Sequence, residues 1–464
     1  MAKRHLLILG LLLSGGALAS ACSDTKAVGI DSDAGAGGEA GETGHAGSAN
    51  AGSGHAGSGH AGSANAGSGN EAGEAGANSE GGVGGEGGIG GEGGAEPPYE
   101  FPPSLNPHGV VVIGAAPSTA TKVLVGGTDY KTATEIVSVT IGTGAVGDST
   151  TYDDSDTLAI SSAGIGFAVE RTKDKVHQLD AGKISKTFDL KALGTNTAVT
   201  GTKAYVPLYN QSYIAVLDLT AGTVNRRIDL NLYNAAGDSD HSADIAEGVY
   251  DPNSKIAYFL LQRIDINAVF ADPKGQVNCP ATYGALIIGV DTRIDDVIDL
   301  NGEAPGKGIE LKLANPNSLS INKDGDHLYT LGNGCFEGES KVKHGVEVVD
   351  LSDASTTVAY HAAGNDYLGR MIRTVGADAL IQSSDENYAT HWHKIDIAQG
   401  ILGNEIANVP KEPSFDGTDL LGVEVTGKVG KVVRYKISTE TSTEISPTSW
   451  GGQYSYVSST ALVP

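Results

Sequence analysis

Short apolar runs, separated by turn residues, recur along the C-terminal part of the chain. Residues 203–230 show the arrangement best. Ala204–Leu208 and Tyr213–Leu219 consist mostly of aliphatic, β-branched and aromatic residues, and Val224–Leu230 follows after Gly222 with apolar residues at its two ends. Runs of this composition between Gly, Asp and Asn residues are typical of β-strands joined by tight turns. The pattern therefore predicts three successive strands.

Similar segments begin at Phe167, Asp251 and Asn322, and the larger unit repeats about every 40 to 55 residues, the period of propeller blades. The copies share a turn with Asp or Gly, an aromatic-Val strand, a second strand ending in Asp, and a Thr-Gly turn. In these features they resemble the YVTN-type, WD40-like propeller repeat. The resemblance implies an all-β fold, a single β-propeller of about seven four-stranded blades within residues 102–464.

The predicted blades follow one another along the chain. They cover residues 108–152, 153–192, 193–236, 237–311, 312–362, 363–411 and 412–447. The last segment, Tyr454–Leu462, is expected to pair with the first blade, because closing the ring removes exposed strand edges. The seventh blade departs most from the repeat, so six or eight blades stay open as alternatives.

The first 22 residues have the layout of an export signal. Lys3 and Arg4 precede an apolar run, Leu6–Leu13, and small residues lead to Cys22. The run is too short to span a bilayer. The segment resembles a bacterial lipobox, which implies that Cys22 is lipidated after cleavage. An ordinary secretory peptide, cut before or near Cys22, is the alternative, and both predict export.

The resemblance divides the N-terminal region into a signal peptide, residues 1–21, and a lipidated N-terminus, residues 22–32. Ser23 follows the cysteine, and in enterobacterial sorting this favours the outer membrane. We therefore expect a lipoprotein in the envelope of a Gram-negative bacterium, periplasmic or surface-exposed. Its lipid would hold it to the membrane, since several acyl chains make an almost permanent anchor.

Residues 33–101 form a Gly/Ala/Ser-rich tract that joins the anchor to the propeller. Such a sequence has no apolar surface to bury, so it cannot offset the entropy cost of ordering, and we predict a disordered linker. His45, His55 and His60 recur in it. Expansion of a Gly-Ser-His-Ala repeat explains them better than metal binding does.

The chain is strongly acidic, with a formal net charge of −25. Nucleic-acid binding depends on Lys and Arg displacing counterions from phosphates, so DNA and RNA are poor partners. An anionic leaflet would also repel the propeller, which leaves membrane attachment to the lipid. The expected partner is an unidentified protein, glycan or small molecule, and the chain is expected to be a monomer.

Three cysteines are present, and Cys22 belongs to the export signal. Cys279 and Cys335 each fall in an insertion between the middle strands of a blade, the fourth and the fifth. The blade order puts both insertions on one face, and export brings them to an oxidising compartment, so we predict a Cys279–Cys335 disulfide. Two free thiols buried in the core are the alternative.

Acidic residues cluster in the predicted loops that lead from one blade to the next on this face. Asp240, His241 and Asp244 are the first choice for a metal site, with calcium or zinc as the ion, because carboxylates and imidazole suit such cations. Otherwise no cofactor is expected. The alternative is that Asp and Ser simply cap turns. The other predicted ligand-facing residues are Asp153, Asp154, Asp156, Asp238, Asp366, Arg370, Asp385 and Glu386.

His391 and His393 alternate in a predicted strand, so both imidazoles lie on one face and Trp392 on the other. A structural pair is favoured over half of a metal site, because no third ligand is adjacent in sequence. Asn322–Asp326 is predicted to be a hairpin turn, since its Gly stands too early for a calcium-binding loop.

The sequence contains no local catalytic motif such as Gly-x-Ser-x-Gly, His-Glu-x-x-His or a phosphate-binding loop. We therefore expect a non-enzymatic binding or interaction module. A metal-dependent propeller hydrolase or lactonase is one alternative, and a structural protein of the cell envelope is another. The propeller fold serves all three classes, so the choice between them has to come from the site.

Overall fold

The computed structural model describes residues 120–464 except for short gaps. The gaps are residues 130, 163, 192–197, 201, 210, 303–307, 323, 339, 364–366, 375–377, 386–388, 427–428 and 447–455. The predicted signal peptide, Cys22 and the linker lie outside the described residues, and so do Asp366 and Glu386. No helix among the described residues has both the length and the apolar character needed to cross a membrane.

The described strands form seven antiparallel sheets, and each sheet is one blade. Blade 1 contains β1 (Lys122–Thr128), β2 (Thr134–Thr140), β3 (Val146–Tyr152) and β29 (Tyr456–Val463). Blade 2 contains β4 (Thr157–Ser162), β5 (Ile165–Glu170), β6 (Lys175–Asp180) and β7 (Lys183–Asp189). Blade 3 contains β8 (Ala198–Thr200), β9 (Lys203–Leu208), β10 (Tyr213–Asp218) and β11 (Thr223–Asp229). Blade 4 contains β12 (Ile245–Asp251), β13 (Ile256–Leu261), β14 (Leu286–Asp291), β15 (Asp296–Ile298) and β16 (Ile309–Glu310).

The remaining blades follow the same order. Blade 5 contains β17 (Pro316–Ile321), β18 (His327–Glu337), β19 (Ser340–Asp350) and β20 (Ser355–His361). Blade 6 contains β21 (Tyr367–Arg373), β22 (Asp378–Ser384), β23 (Thr390–Asp396) and β24 (Ile401–Glu405). Blade 7 contains β25 (Lys411–Phe415), β26 (Leu420–Thr426), β27 (Val429–Lys436) and β28 (Thr441–Ser446). One short α-helix, α1 (Ile266–Ala271), and 3-10 turns at Asn231–Tyr233 and Cys279–Ala281 lie between strands.

The strand at the inner edge of each blade faces the centre of the ring, since β12 contacts both β8 and β17, and β29 contacts both β25 and β4. Apolar side chains fill the space between successive blades. Phe167 and Phe188 of blade 2, for example, pack with Leu208 and Leu217 of blade 3, and all four are buried. This arrangement is a seven-bladed β-propeller, and it confirms the predicted fold class and blade number.

The C-terminal strand closes the ring. β29 pairs with β1 from Lys122 opposite Val463 to Thr128 opposite Tyr456. It also reaches the next blade, because the Ser459 hydroxyl oxygen accepts a hydrogen bond from the Ala159 amide at 2.7 Å. The predicted pairing of the last segment with the first blade is therefore confirmed.

A buried carboxylate joins blade 5 to the segment that leads into it. Glu347 of β19 is fully buried, and its side chain accepts hydrogen bonds from the amides of Lys312 at 2.9 Å and Leu313 at 3.0 Å. Burial raises the pKa of Glu347, and the two amide hydrogen bonds oppose that rise. The side chain thus replaces the strand partner that these two amides lack.

We expect Glu347→Ala to lower the free energy of unfolding by about 2 kcal/mol, because the buried Leu313 amide and the more exposed Lys312 amide lose their acceptor. Urea denaturation followed by circular dichroism measures the loss. Glu424→Ala, on an exposed position of β26, is the matched control and should change stability little. Equal stability of the two variants would contradict the bridging role of Glu347.

Candidate functional site

Two kinds of connection reach the same face of the propeller. Because strands alternate in direction, the loop from one blade to the next and the connection between the second and third strands of a blade emerge together. The longest described connection on this face joins β13 to β14 and contains α1. Next to it, β18 and β19 continue for 11 residues each and form an extended hairpin.

A disulfide between Cys279 and Cys335 ties the connection of blade 4 to the hairpin of blade 5. The Phe336 amide also donates a hydrogen bond to the Val277 carbonyl at 2.9 Å. The predicted disulfide is confirmed. One detail of the prediction is wrong, because Cys335 lies within β18 rather than in a loop insertion.

The loop between β11 and β12 coils so that three carboxylates point to one place. The Asp240 amide donates to Asp238 Oδ1 at 3.2 Å, and the Ser242 amide donates to Asp240 Oδ1 at 2.9 Å. His241 and Asp244 adopt positive φ angles of 57° and 48°, a region that Asp and His enter more readily than most residues. The tight coil therefore follows from the local Asp-Ser chemistry of the sequence.

Asp238, Asp240 and Asp244 each place one carboxylate oxygen within 4.8 Å of the others. Asp238 and Asp244 are buried and Asp240 is half-buried, whereas His241 is exposed. The structure thus brings Asp240 and Asp244 together as predicted, but Asp238 joins them in place of His241. Among the residues that the structure describes, this is the one group of three His, Cys, Asp or Glu side chains close enough to share an ion.

Burial raises the pKa values of all three carboxyl groups, and neighbouring carboxylates, Asp265 among them, add to the effect. The pKa of Asp240 rises to about 6, mainly through burial and further through the charges of Asp238 and Asp265. The pKa of Asp244 lies well above its ordinary value for the same reasons, with Asp240 as its main charged neighbour. The group therefore favours either a bound cation or bound protons.

The connection between β13 and β14 closes over this carboxylate group. The Ile264 amide donates to Asp244 Oδ2 at 2.8 Å, and the Ile266 amide donates to Asp240 Oδ2 at 2.5 Å. Asp265 caps the N-terminus of α1 through the Ala268 amide and accepts the Ser239 hydroxyl at 2.8 Å. Backbone amides thus hold two of the carboxylates in fixed orientations.

A cleft of about 410 Å³ lies between blades 6 and 7 and reaches the start of β29. Side chains that bear on its chemistry are Arg370, Trp392, Glu405, Lys411, Glu412 and Tyr456. Arg370 Nη1 lies 3.4 Å from Glu412 Oε2. Burial raises the pKa of Glu412, and the Arg370 charge opposes that rise. The volume suits a small ligand.

Several predicted ligand-facing residues are engaged in turns. Asp154 is buried and accepts the amides of Asp156 and Thr172, at 2.9 and 3.0 Å. Asp156 in turn forms an ion pair with Arg171. Asp153 is exposed and pairs with Lys173, and Asp385 accepts the Ala389 amide. Of the predicted ligand-facing residues that the structure describes, Arg370, on β21, lines the cleft, and Asp238 joins Asp240 and Asp244 in the carboxylate group.

His391 and His393 lie on one side of β23, and Trp392 is buried on the other. His391 Nδ1 is 2.9 Å from Glu405 Oε1, while His393 Nδ1 contacts the Gly403 carbonyl at 3.3 Å. Both imidazoles thus contact β24, within the same blade. Asn322 accepts the amides of Asp326 and His327, which gives the predicted hairpin turn.

Sequence reasoning did not identify Glu405 and Glu412 as cleft residues. Both lie next to the connection between β24 and β25, the loop that leads from blade 6 to blade 7. The rule that selected Asp238 and Asp153 would have selected this loop as well. Its composition gave no signal, because it contains no acidic run of the kind found around Asp238.

No protein-family model and no curated protein matches the chain. Among solved structures, it is similar to a putative 6-phosphogluconolactonase from Bacteroides uniformis, with 14% identity over 70% of this chain and 94% of that chain and a TM-score of 0.45. It is also similar to the β-propeller domain of Cps50 (Swd1) from Myceliophteria thermophila, with 10% identity over 71% of this chain and 96% of that chain and a TM-score of 0.42. A third similar structure is AztD from Citrobacter koseri, with 11% identity over 74% of this chain and 98% of that chain and a TM-score of 0.41. The likeness concerns the fold alone and assigns neither family nor ligand.

Proposed function

We propose that this chain is an exported lipoprotein, anchored to the outer membrane through Cys22, whose propeller binds a short glycan in the cleft between blades 6 and 7. The observation that carries the binding proposal is the cleft itself. Its 410 Å³ falls in the range of small-molecule sites, which is roughly 300 to 1,000 Å³. Rigid blades position its walls, as scaffolds of binding sites commonly do.

The chemistry of the cleft favours a neutral, polyhydroxylated ligand. Two cationic side chains, Arg370 and Lys411, face two carboxylates, Glu405 and Glu412, so the lining carries no excess of either charge. Planar guanidinium and carboxylate groups exchange hydrogen bonds with hydroxyls. Tyr456 and Val409, both half-buried in the same lining, offer apolar surface to the C–H faces of a sugar ring.

The disulfide supports export. Disulfides persist in oxidising compartments and are rare in the cytosol of mesophiles, and Cys279–Cys335 joins two elements on one face of the propeller. The basic start, apolar run and small residues before Cys22 supply a matching signal layout. Lipidation of Cys22 then explains how so acidic a chain stays at an anionic membrane.

Metal-dependent hydrolysis at the carboxylate group is a less favoured function than ligand binding in the cleft. A catalytic metal keeps a coordination position open to substrate. Asp238 and Asp244 are each 1% exposed, and the connection between β13 and β14 covers the group. That enclosure suits a structural ion rather than a substrate-accessible one.

Blocking the cleft tests the binding proposal. Ala407 is exposed in the cleft wall, so Ala407→Trp adds bulk there without removing a charged group. We expect the protein to bind neutral oligosaccharides on a glycan array, and Ala407→Trp to weaken the best binder by about tenfold, or ~1.4 kcal/mol, in calorimetry.

Leu402→Trp is the matched control, because Leu402 is an exposed position on β24 of the same blade and lies outside the cleft lining. It should bind like the unmodified protein. If Ala407→Trp binds as tightly as Leu402→Trp, or if no neutral oligosaccharide binds, the proposed function is wrong.

A further inference from the structure

The carboxylate group of Asp238, Asp240 and Asp244 has a property that turn capping does not explain. Asp238 and Asp244 are each 1% exposed, yet Asp238 Oδ2 and Asp244 Oδ1 have no hydrogen-bond partner. A buried polar atom without a partner costs about 1 to 3 kcal/mol, and more when it is charged. In a sheltered group of carboxylates, such oxygens are the atoms left over for an ion.

In each of the two buried carboxylates, one oxygen accepts a backbone hydrogen bond and the other accepts none. In Asp238, Oδ1 accepts the Asp240 amide, and in Asp244, Oδ2 accepts the Ile264 amide. The other oxygen of each is the unpartnered one. Amides that fix one oxygen and orient the other are the arrangement that second-layer contacts provide around bound metals.

No lysine or arginine of the described residues pairs directly with the group, although His241 and Arg263 interact with the charge of Asp238 from a greater distance. Arg263, half-buried in the connection above, donates through Nη1 to the Gly284 carbonyl at 3.0 Å. The His241 side chain is exposed. Three carboxylates within 4.8 Å of one another therefore need a cation from solution if they are to stay ionised.

We propose that Asp238, Asp240 and Asp244 bind one Ca²⁺ ion, which fastens the loop between β11 and β12 to the connection between β13 and β14. The ligand set is entirely oxygen, which suits a hard cation and not zinc. Calcium accepts irregular arrangements of six to eight oxygens, whereas magnesium requires a near-ideal octahedron. The half-buried Asp240 leaves a side through which ion and water enter.

The ion has a structural role beside the disulfide. Ile264 and Ile266, whose amides hold Asp244 and Asp240, belong to the same connection that carries Cys279. The ion fixes the start of this connection to the loop that leads from blade 3 to blade 4, and the disulfide fixes its later part to blade 5. This inference does not depend on the glycan cleft, which lies between other blades.

Calcium titration of the full chain tests the inference. The protein is purified from membranes in detergent, treated with EDTA, dialysed, and titrated with CaCl₂ or MgCl₂ in a calorimeter. We expect one Ca²⁺ per chain with a dissociation constant of roughly 10⁻⁴ to 10⁻³ M, as in extracellular calcium modules. The melting temperature should rise with calcium, and magnesium should bind about tenfold more weakly or not at all.

Asp240→Asn removes a ligand charge at the half-buried position, where the substitution is least disruptive to folding. It should weaken calcium binding by about tenfold or more and abolish the calcium-dependent rise in melting temperature. Asp153→Asn, in the corresponding loop between blades 1 and 2, should bind calcium like the unmodified chain. Absence of binding, equal affinity for magnesium, or unchanged affinity in Asp240→Asn would each overturn the proposal.

Discussion

A chain that ends before Tyr456 is expected to fail to form a soluble propeller. Loss of residues 456–464 exposes the whole inner edge of β1, which otherwise pairs with β29 over seven positions. It also removes Val457, Leu462 and Val463 from the apolar cores on either side of blade 1. An open edge of this length pairs with other chains. Size-exclusion chromatography and circular dichroism should show aggregated protein without cooperative unfolding.

Two comparisons make this prediction specific. Removal of Pro464 alone, an exposed residue beyond β29, should have no effect. A synthetic peptide with the sequence of residues 456–464, added during refolding, should restore soluble protein by supplying the missing strand in trans. A truncated chain that stays monomeric and unfolds cooperatively would show that the ring is stable without its closing strand.

Replacing both Cys279 and Cys335 by Ala is expected to lower the free energy of unfolding by about 4 kcal/mol, because the face that the disulfide joins loses its cross-link. The two cysteines are 56 residues apart, and the entropy of closing a loop of that length in the unfolded chain gives this value. Limited proteolysis should show cleavage within the connection between β13 and β14 before the blades unfold. Urea denaturation measures the loss.

Asp153→Asn is the control for the disulfide variant, because it changes an exposed side chain and leaves the cysteine pair and the anchor residue intact. It should leave the urea midpoint of the propeller unchanged. If the double Ala variant resists both protease and urea as well as Asp153→Asn does, the disulfide contributes nothing to the stability of this face.

The fold was predictable because its signals are local and repeated. Most blades carry the same pattern of apolar strands and turns, so the copies around Phe167, Tyr213, Asp251 and Asn322 were enough to predict about seven blades. The seventh blade departs from the pattern, which left six or eight open as alternatives. The blade order then placed Cys279 and Cys335 on one face. Both steps need only the order of strands, not the direction of a side chain.

The membership of the carboxylate group was not predictable in the same way. His241 is adjacent to Asp240 in sequence and Asp238 is two residues away, and imidazole is the commoner metal ligand. The left-handed φ of His241 leaves its side chain exposed, while Asp238 is buried beside Asp240. The cleft was even harder to predict from the sequence, because Arg370, Glu412 and Tyr456 come from three blades and meet only in the closed ring.

The pairing of β29 with β1 also determines how the propeller would bear a mechanical load. A pull at residue 120, the direction from which a membrane tether would act, is transmitted to β1 at Lys122. There β1 lies between β2 and β29, so both ladders of hydrogen bonds resist in shear and must break together. A load applied to β1 through residue 120 would therefore have to separate this strand from both of its neighbours at the same time.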